Sequence, residues 1–433
     1  MAEMKLGLFI RPTGHHIASW RHPNAHDDAN ANFSRFVEMA HTAERGLFDM
    51  LFSADTPSAW TTLGSALNRQ HYSAWLEPYT LLSALATQTK NIGLICTKST
   101  SFDPPYTVAR QFATLDLVSG GRSGVNIVTT GNGRAALNYS QEDHKPKSER
   151  YAIADEFVDV IRGLWNSWDA DAFIRNKETG TFFDFNKMHV LNHKGKYFQV
   201  EGPLNVPRSP QGRPIIVQAG ASEKGRELAA KSADVIFTAT QSLKMAQEFY
   251  ADVKSRLSKY GRHNSDLKIL PGLSVTVAKT QAEAQNKFQE LQDLIHPDHG
   301  LAYLSRRVGH DFTKMDPDLV VPNLEAVEEV GTRSGQMLDL AREKNWTLRQ
   351  LYQHFAATRG HMVLIGTPEN VVDTMQEWFE SNACDGFNLI PSLFPDEFDA
   401  FVNMVVPELQ SRSLFRTKYE GTTLRELLGV QSP

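Results

Sequence analysis

Pro214-Ile-Ile-Val-Gln-Ala-Gly-Ala-Ser222-Glu-Lys-Gly-Arg-Glu-Leu-Ala-Ala230 reads as a buried strand, a tight glycine turn and a helix. Ile215 to Val217 form a β-branched run, the kind carried by a strand covered on both faces. Gly220 lets the backbone turn without a Cβ penalty, and Ser222 stands where an N-cap is expected, with Leu228 and Ala229 continuing the helix. The free N–H groups of such a helix point back at the turn and favour negative charge, a phosphate above all. Alone, the turn reads more readily as a helix that happens to be capped by serine, so the surrounding chain decides.

Outward from this stretch the same unit recurs. Residues 6–10, 48–55, 91–100 and 124–130 carry strand patterns before it, and 234–239, 267–277 and 386–390 after it. Helical patterns separate most of them: Phe33, Phe36, Val37, Ala40 and Leu47 share one face, as do Ile153, Phe157, Val160, Ile161 and Leu164. Thr367-Pro368 reads as the N-cap and first residue of another helix, with Val371, Val372, Met375 and Trp378 on its buried side. Eight strands in one direction with helices between them specify a closed parallel (β/α)8 TIM barrel better than an open doubly wound sheet. The expectation is one barrel domain over residues 1–433, with insertions at about 169–213 and 280–355. The second insertion has helical patches and no clear strand, as a lid over the mouth would.

Composition agrees with a soluble globular protein. The 433 residues are 41% hydrophobic and 22% charged with a formal net charge of −5, which points to neither nucleic acid nor an acidic membrane surface. Cys96 and Cys384 both sit in core-like segments, so a disulfide framework is not expected and a reducing, cytoplasmic setting is. No apolar run approaches the roughly 20 residues that cross a bilayer, and Arg11-Pro12 comes too early for a signal peptide.

In this barrel type, active sites lie at the carboxyl ends of the strands. Asp55, Thr97, Asn126 and Ser222 all occupy such ends. Asn126 interrupts an apolar run, and a buried asparagine needs partners, structural or ligand. The loop after residue 10 is crowded with His15, His16, Trp20, Arg21, His22 and His26; its histidines read either as the wall of a polar pocket or as solvated loop residues. His189 with His193, and His296 with His299, lack the accompanying residues of a zinc site, and no metal is expected. Gly131-Asn-Gly-Arg134 lacks the last glycine and the lysine of a phosphate loop, and no strand is followed by a dinucleotide-binding glycine motif.

Several short motifs, in their order and spacing, are shared with a known family: Trp20-Arg-His-Pro, Phe52-Ser-Ala-Asp55, Ser119-Gly-Gly-Arg with Val125-Asn-Ile-Val-Thr, Glu149-Arg-Tyr151, Gly202-Pro-Leu-Asn-Val-Pro207, Gln218-Ala-Gly-Ala-Ser222 and Phe415-Arg-Thr-Lys-Tyr-Glu-Gly-Thr-Thr-Leu424. Through them the chain resembles, end to end, the flavin-dependent monooxygenases of the bacterial luciferase-like superfamily, in the branch of the nitrilotriacetate, EDTA, dibenzothiophene sulfone and long-chain alkane monooxygenases. The resemblance implies an enzyme that takes reduced FMN from a separate NAD(P)H:flavin reductase and uses O2 to oxygenate a small organic substrate, and a homo-oligomer is expected. It assigns Ser222 and its turn to the FMN phosphate, with Tyr151 and His144 lining the same cofactor and Asp55 and Thr97 contacting the ring. Thr97 and Asn126 match positions that flank the reactive edge of the flavin and are the catalytic candidates. Lys98 departs from the small residue expected beside Thr97. A deazaflavin-dependent hydride transfer and a non-catalytic flavin-binding role are the alternatives. An aminopolycarboxylate substrate would call for several arginines at the mouth and a planar sulfone for aromatics; Arg11, Arg21, Trp20 and Trp60 do not decide between them.

Overall fold

The structure is a computed structural model that describes residues 3–59, 66–324 and 332–431. In chain order, β1 (Lys5–Phe9), α1 (Phe33–Arg45), β2 (Met50–Ser53), α2 (Pro78–Leu85), β3 (Gly93–Ser99), α3 (Pro105–Val118), β4 (Ser123–Val128) and α4 (Lys147–Trp165) form the first half. A two-stranded hairpin, β5 (His193–Lys194) with β6 (Gln199–Val200), precedes β7 (Ile215–Gln218), α5 (Glu223–Ser232), β8 (Val235–Thr238), α6 (Leu243–Arg256) and β9 (Lys268–Val277). Four helices follow: α7 (Gln281–Asp293), α8 (Pro297–Val308), α9 (Thr332–Glu343) and α10 (Leu348–Thr358). The chain then returns through β10 (Met362–Gly366), α11 (Pro368–Glu380), β11 (Gly386–Leu389), α12 (Asp396–Ala400), α13 (Val406–Ser411) and α14 (Leu424–Leu428).

Eight parallel strands close a ring in the order β1-β2-β3-β4-β7-β8-β9-β11 and back to β1. All eight come from the stretches that the sequence marks as strands. Alternation along each strand sorts the side chains. Phe9, Phe52, Ile95, Ile215, Val217, Val235, Leu270 and Ile390 pack inside the barrel. Their neighbours Leu8, Leu51, Leu94, Cys96, Val125, Ile127 and Ile216 face outward onto α1, α2, α3 and α4. Thr97 is two residues beyond Ile95, and Asn126 lies between the outward Val125 and Ile127, so both belong to the inward set; they are register partners across β3 and β4.

The ninth strand of the sheet, β10, has no counterpart in the sequence reading. β9 is ten residues long and outruns its ring neighbours, pairing with β8 from Lys268, with β11 at Gly272 and Leu273 and with β10 from Leu273 onward. Met362-Val-Leu-Ile-Gly366 is a short apolar run, and periodicity cannot tell such a run from a turn of buried helix.

Helices α8, α9 and α10 carry a core of their own, in which Tyr303, Leu304, Leu338, Leu351 and Tyr352 pack with Ile17 and Ala18 of the loop after β1. At the other end of the barrel the last helix acts as a plug. Leu424 and Leu428 join the interior cluster, and Arg425 is 2% exposed. Its guanidinium reaches Asp234, whose second oxygen accepts the Ile216 N–H at 2.8 Å. Asp49 and Asp385 likewise accept the backbone N–H of Leu6 and Ile269 in neighbouring strands, and Asp116 of α3 accepts that of Ser123 at the start of β4. Burial opposes ionisation of Asp234, yet Arg213 and Arg425 hold it well below the usual carboxylate range.

Candidate active site

The opening stretch folds as read. Ser222 is the N-cap of α5, its Oγ accepting the Gly225 N–H at 3.3 Å and donating to the Tyr151 hydroxyl at 3.0 Å. The turn needs glycine on both sides. A Cβ on Gly220 would sit 3.0 Å from the Gly225 Cα, and one on Gly225 would sit 2.9 Å from Gly220. This close approach presses the first turn of α5 onto the loop after β7 and leaves Ser222, half-buried, at the rim.

Thr97 and Asn126 form one unit. The Thr97 hydroxyl donates to the Ser53 carbonyl at 2.9 Å and therefore presents a lone pair, which the Asn126 Nδ2 donates to at 2.8 Å. That fixes the amide orientation and leaves the Asn126 Oδ1 buried without a partner.

Two cavities meet at this end of the barrel. One, of about 520 Å3, is lined by Arg11, Asp55, Tyr72, Thr97, Lys98 and Thr130, among others. The second, of about 390 Å3, is lined by Asp55, Thr130, Gly131, Tyr151, Gln218 and Gly220. They share Asp55, Thr56, Val128 and Thr130, so together they make one slot from the α5 turn to Thr97. The size suits a small-molecule or cofactor site.

The other expected residues fall around this slot in different ways. Asp55 lines both halves; burial, then Glu77, raises its pKa above the ordinary carboxylate value. Lys98 points into the first cavity, where its Nζ lies 3.6 Å from Glu77 and 3.8 Å from Asp103. Burial works against its charge, but Asp103 and the other acids raise its pKa. Asn126 lines neither cavity and reaches the slot through Thr97. The His144 Nε2 bonds the Thr130 carbonyl at 2.6 Å, its ring stacks on Phe102 and its Nδ1 is buried without a partner.

The first loop divides differently from the pocket-wall reading. Arg11 lines the slot, but none of His15, His16, His22 or His26 does. His15 bonds the Phe9 carbonyl at 2.9 Å and His16 bonds Gln292 at 3.2 Å; burial lowers both pKa values, that of His16 to about 4, so they are neutral packing groups. Trp20 donates to the Arg69 carbonyl and Arg21 to that of Leu294, both outside the slot, and Trp60 lies outside the described residues. His189 and His193 turn to separate carboxylates, Asp169 and Glu156. What the sequence reading missed is the set Tyr72, Arg306, Arg307 and Arg359, which the loop before α2, α8 and the end of α10 bring to Arg11. The one signal for it was the adjacent arginine pair on an otherwise apolar helix face.

A family model described as "Luciferase-like monooxygenase" matches residues 13–384. The chain belongs to that family. This luciferase-like monooxygenase is 50% identical over 434 residues to N-acetyl-S-(2-succino)cysteine monooxygenase of Bacillus subtilis (strain 168), covering 100% of this chain and 97% of that protein. It is 43% identical to nitrilotriacetate monooxygenase component A of Aminobacter aminovorans, again over 100% and 97% of the two chains. The crystal structure of DmoA from Hyphomicrobium sulfonivorans superimposes with a TM-score of 0.90 at 32% identity, covering 99% of this luciferase-like chain and 93% of the other. The family likeness puts the closed barrel and the oxygenase class of this enzyme on independent ground. No described helix is long and apolar enough to cross a membrane.

Proposed function

We propose that the protein is the oxygenase of a two-component system, binding reduced FMN delivered by a separate NAD(P)H:flavin reductase and using O2 to oxygenate a small organic substrate. The observation that carries this reading is the slot that runs from Tyr151 and the Gly220 turn, beside the N-cap of α5, to Thr97, which Asn126 bonds from behind. The residues fit FMN: the Gly220–Gly225 contact sets the N-cap of α5 beside Tyr151 at one end of the slot, and Asp55, Thr130 and Thr97 line it toward the other. When bound, reduced FMN supplies two electrons, so that one atom of O2 enters the substrate and the other leaves as water.

In this reading Ser222, Tyr151 and the first N–H groups of α5 hold the phosphate. Asp55 and Thr97 contact the ring system, and His144 closes the slot on the side of Thr130. Asn126 fixes the Thr97 hydroxyl so that its remaining polar face meets the reacting centre without reorganisation. The helical lid over the arginine-lined half keeps water out. Aminobacter aminovorans supplies a precedent for division of labour, its relative being named component A.

The test is reconstitution. The purified chain with FMN and NADH alone should show negligible turnover, and an added flavin reductase should bring substrate-dependent O2 uptake. Steady NADH oxidation by the chain by itself would sink the two-component reading. Activity only with a deazaflavin would replace it by hydride transfer.

A further inference from the structure

The arginine-lined half of the slot concentrates positive charge on two aromatic platforms. The Arg11 and Arg359 guanidinium carbons lie 5.1 and 5.2 Å from the Tyr72 ring centroid, and those of Arg306 and Arg307 lie 5.7 and 5.3 Å from that of Tyr303. All four arginines line the same cavity. The acids of that cavity, Asp55, Glu77 and Asp103, gather about Lys98 rather than about the arginines. Among the described residues, none makes an ion pair with Arg11, Arg307 or Arg359: the groups that act on Arg11 are Arg359, Tyr72 and Tyr303, those on Arg307 are Tyr303 and Tyr72, and Arg359 is held by the His15 carbonyl at 3.0 Å. The Tyr72 hydroxyl, in a residue only 8% exposed, has no hydrogen-bond partner.

Like charges at such spacing oppose folding unless something of opposite sign joins them. Burial, and after it Arg359, lowers the Arg11 guanidinium to about 10, a measure of how little water remains to solvate it. Tyr303 shows the same field in the other direction: burial favours its neutral form, but Arg307, Arg359 and Arg306 lower its pKa nonetheless. A guanidinium seated on an aromatic face uses its flat side for that contact; Arg359 spends one N–H on the His15 carbonyl and Arg307 one on Tyr303, and the N–H groups that remain on these edges match a carboxylate. A neutral or apolar substrate would leave this charge uncompensated.

We propose that the substrate is a small molecule with at least two carboxylates, bound by Arg11, Arg307, Arg359 and the Tyr72 hydroxyl, which orient its oxidisable carbon or heteroatom toward Thr97. The assignment rests on the monooxygenase reading of the same slot and specifies its substrate class.

The experiment is calorimetric titration of the full-length protein, with and without FMN, using propionate, succinate, tricarballylate and neutral succinamide. Affinity should rise at least about tenfold from propionate to succinate, rise again for tricarballylate, and fall with added salt, while succinamide should not bind. Arg307→Gln should weaken tricarballylate binding about thirtyfold or more, and Arg307→Lys, which keeps the charge but loses the two-pronged geometry, should recover only part. FMN affinity of both variants should equal that of the unaltered protein. Equal binding of succinamide and succinate would overturn the proposal, as would tricarballylate binding that Arg307→Gln does not affect in a variant with an unchanged thermal melt. Loss of FMN affinity in Arg307→Gln would assign the guanidinium to the cofactor phosphate and overturn it as well. Failure of FMN binding alongside normal carboxylate titrations would refute the flavin reading and leave the carboxylate site standing.

Discussion

Replacing Ser222 by aspartate separates a phosphate site from a simple helix cap. Aspartate caps a helix about as well as serine and can accept from both the Gly225 N–H and the Tyr151 hydroxyl, so α5 should hold. For a phosphate at the same N-terminus the change is severe. At about 5 Å with an effective dielectric constant of about 20, each unit of phosphate charge is repelled by about 3 kcal/mol. Loss of a hydrogen bond to a charged group adds about 1.5–3 kcal/mol. Even if half of this is screened at the rim, FMN affinity should fall by about a hundredfold or more. Quenching of flavin fluorescence gives the affinity, and a melt of the flavin-free protein gives the stability, which should move by less than about 2 °C. Ser222→Ala is the graded control, losing the hydrogen bond without adding charge and weakening FMN by about tenfold. An Asp variant that melts normally and binds FMN normally would remove Ser222 from the site and with it the physical case for a phosphate-bearing cofactor.

Asn126→Ala should leave FMN affinity within about threefold while product formation drops on the order of 10²–10³, since it frees the Thr97 hydroxyl from its preset orientation; parallel losses in binding and rate would make Asn126 structural. Acid should destabilise the fold as pH falls from about 6.5 toward 4, because His16 is held near 4 by burial and protonates more readily in the unfolded chain. Between pH 7.5 and 5 that group alone contributes a loss of about 2 kcal/mol, which urea titrations of the unaltered protein and His16→Gln should reveal as a difference in slope against pH; equal slopes would refute it. A Cβ on Gly93 would lie 2.4 Å from the Leu424 Cδ1. Gly93→Ala and Leu424→Ala should each destabilise, the latter by about 2–5 kcal/mol, and the double variant by at least about 1 kcal/mol less than their sum; additive losses would contradict the contact.

The barrel was legible because its two periods alternate over long stretches: β-branched runs such as Ile215 to Val217 and the helical face of Ile153, Phe157 and Ile161 leave little choice of element. β10 was not legible, since a five-residue apolar run bounded by Gly360 and Gly366 has no period of its own and forms a strand only because β9 extends past its other partners. Thr97 and Asp55, which line the slot, could be singled out because strand ends are local features; Asn126 and Ser222 come to it only through Thr97 and Tyr151. Arg306, Arg307 and Arg359 could not, because their convergence on Arg11 depends on how the lid helices pack against Ile17 and Ala18. The histidines of the first loop misled for the opposite reason: His15 and His16 look like chemistry in sequence but spend their polar atoms on Phe9 and Gln292.

The plug at the base of the barrel has a consequence for synthesis. Leu424, Leu428 and Arg425 finish an interior whose first wall, β1, emerged more than four hundred residues earlier. At roughly 5–20 residues per second the ribosome takes on the order of 20 to 80 seconds to bridge that interval. Throughout it the nascent chain carries an unsealed apolar end, and Asp234, once made, waits almost two hundred residues for the second of its two arginines. Chaperone occupancy on translating ribosomes should therefore persist until the last helix is released, and a bulky fusion joined directly after α14 should lower soluble yield more than the same fusion placed before β1.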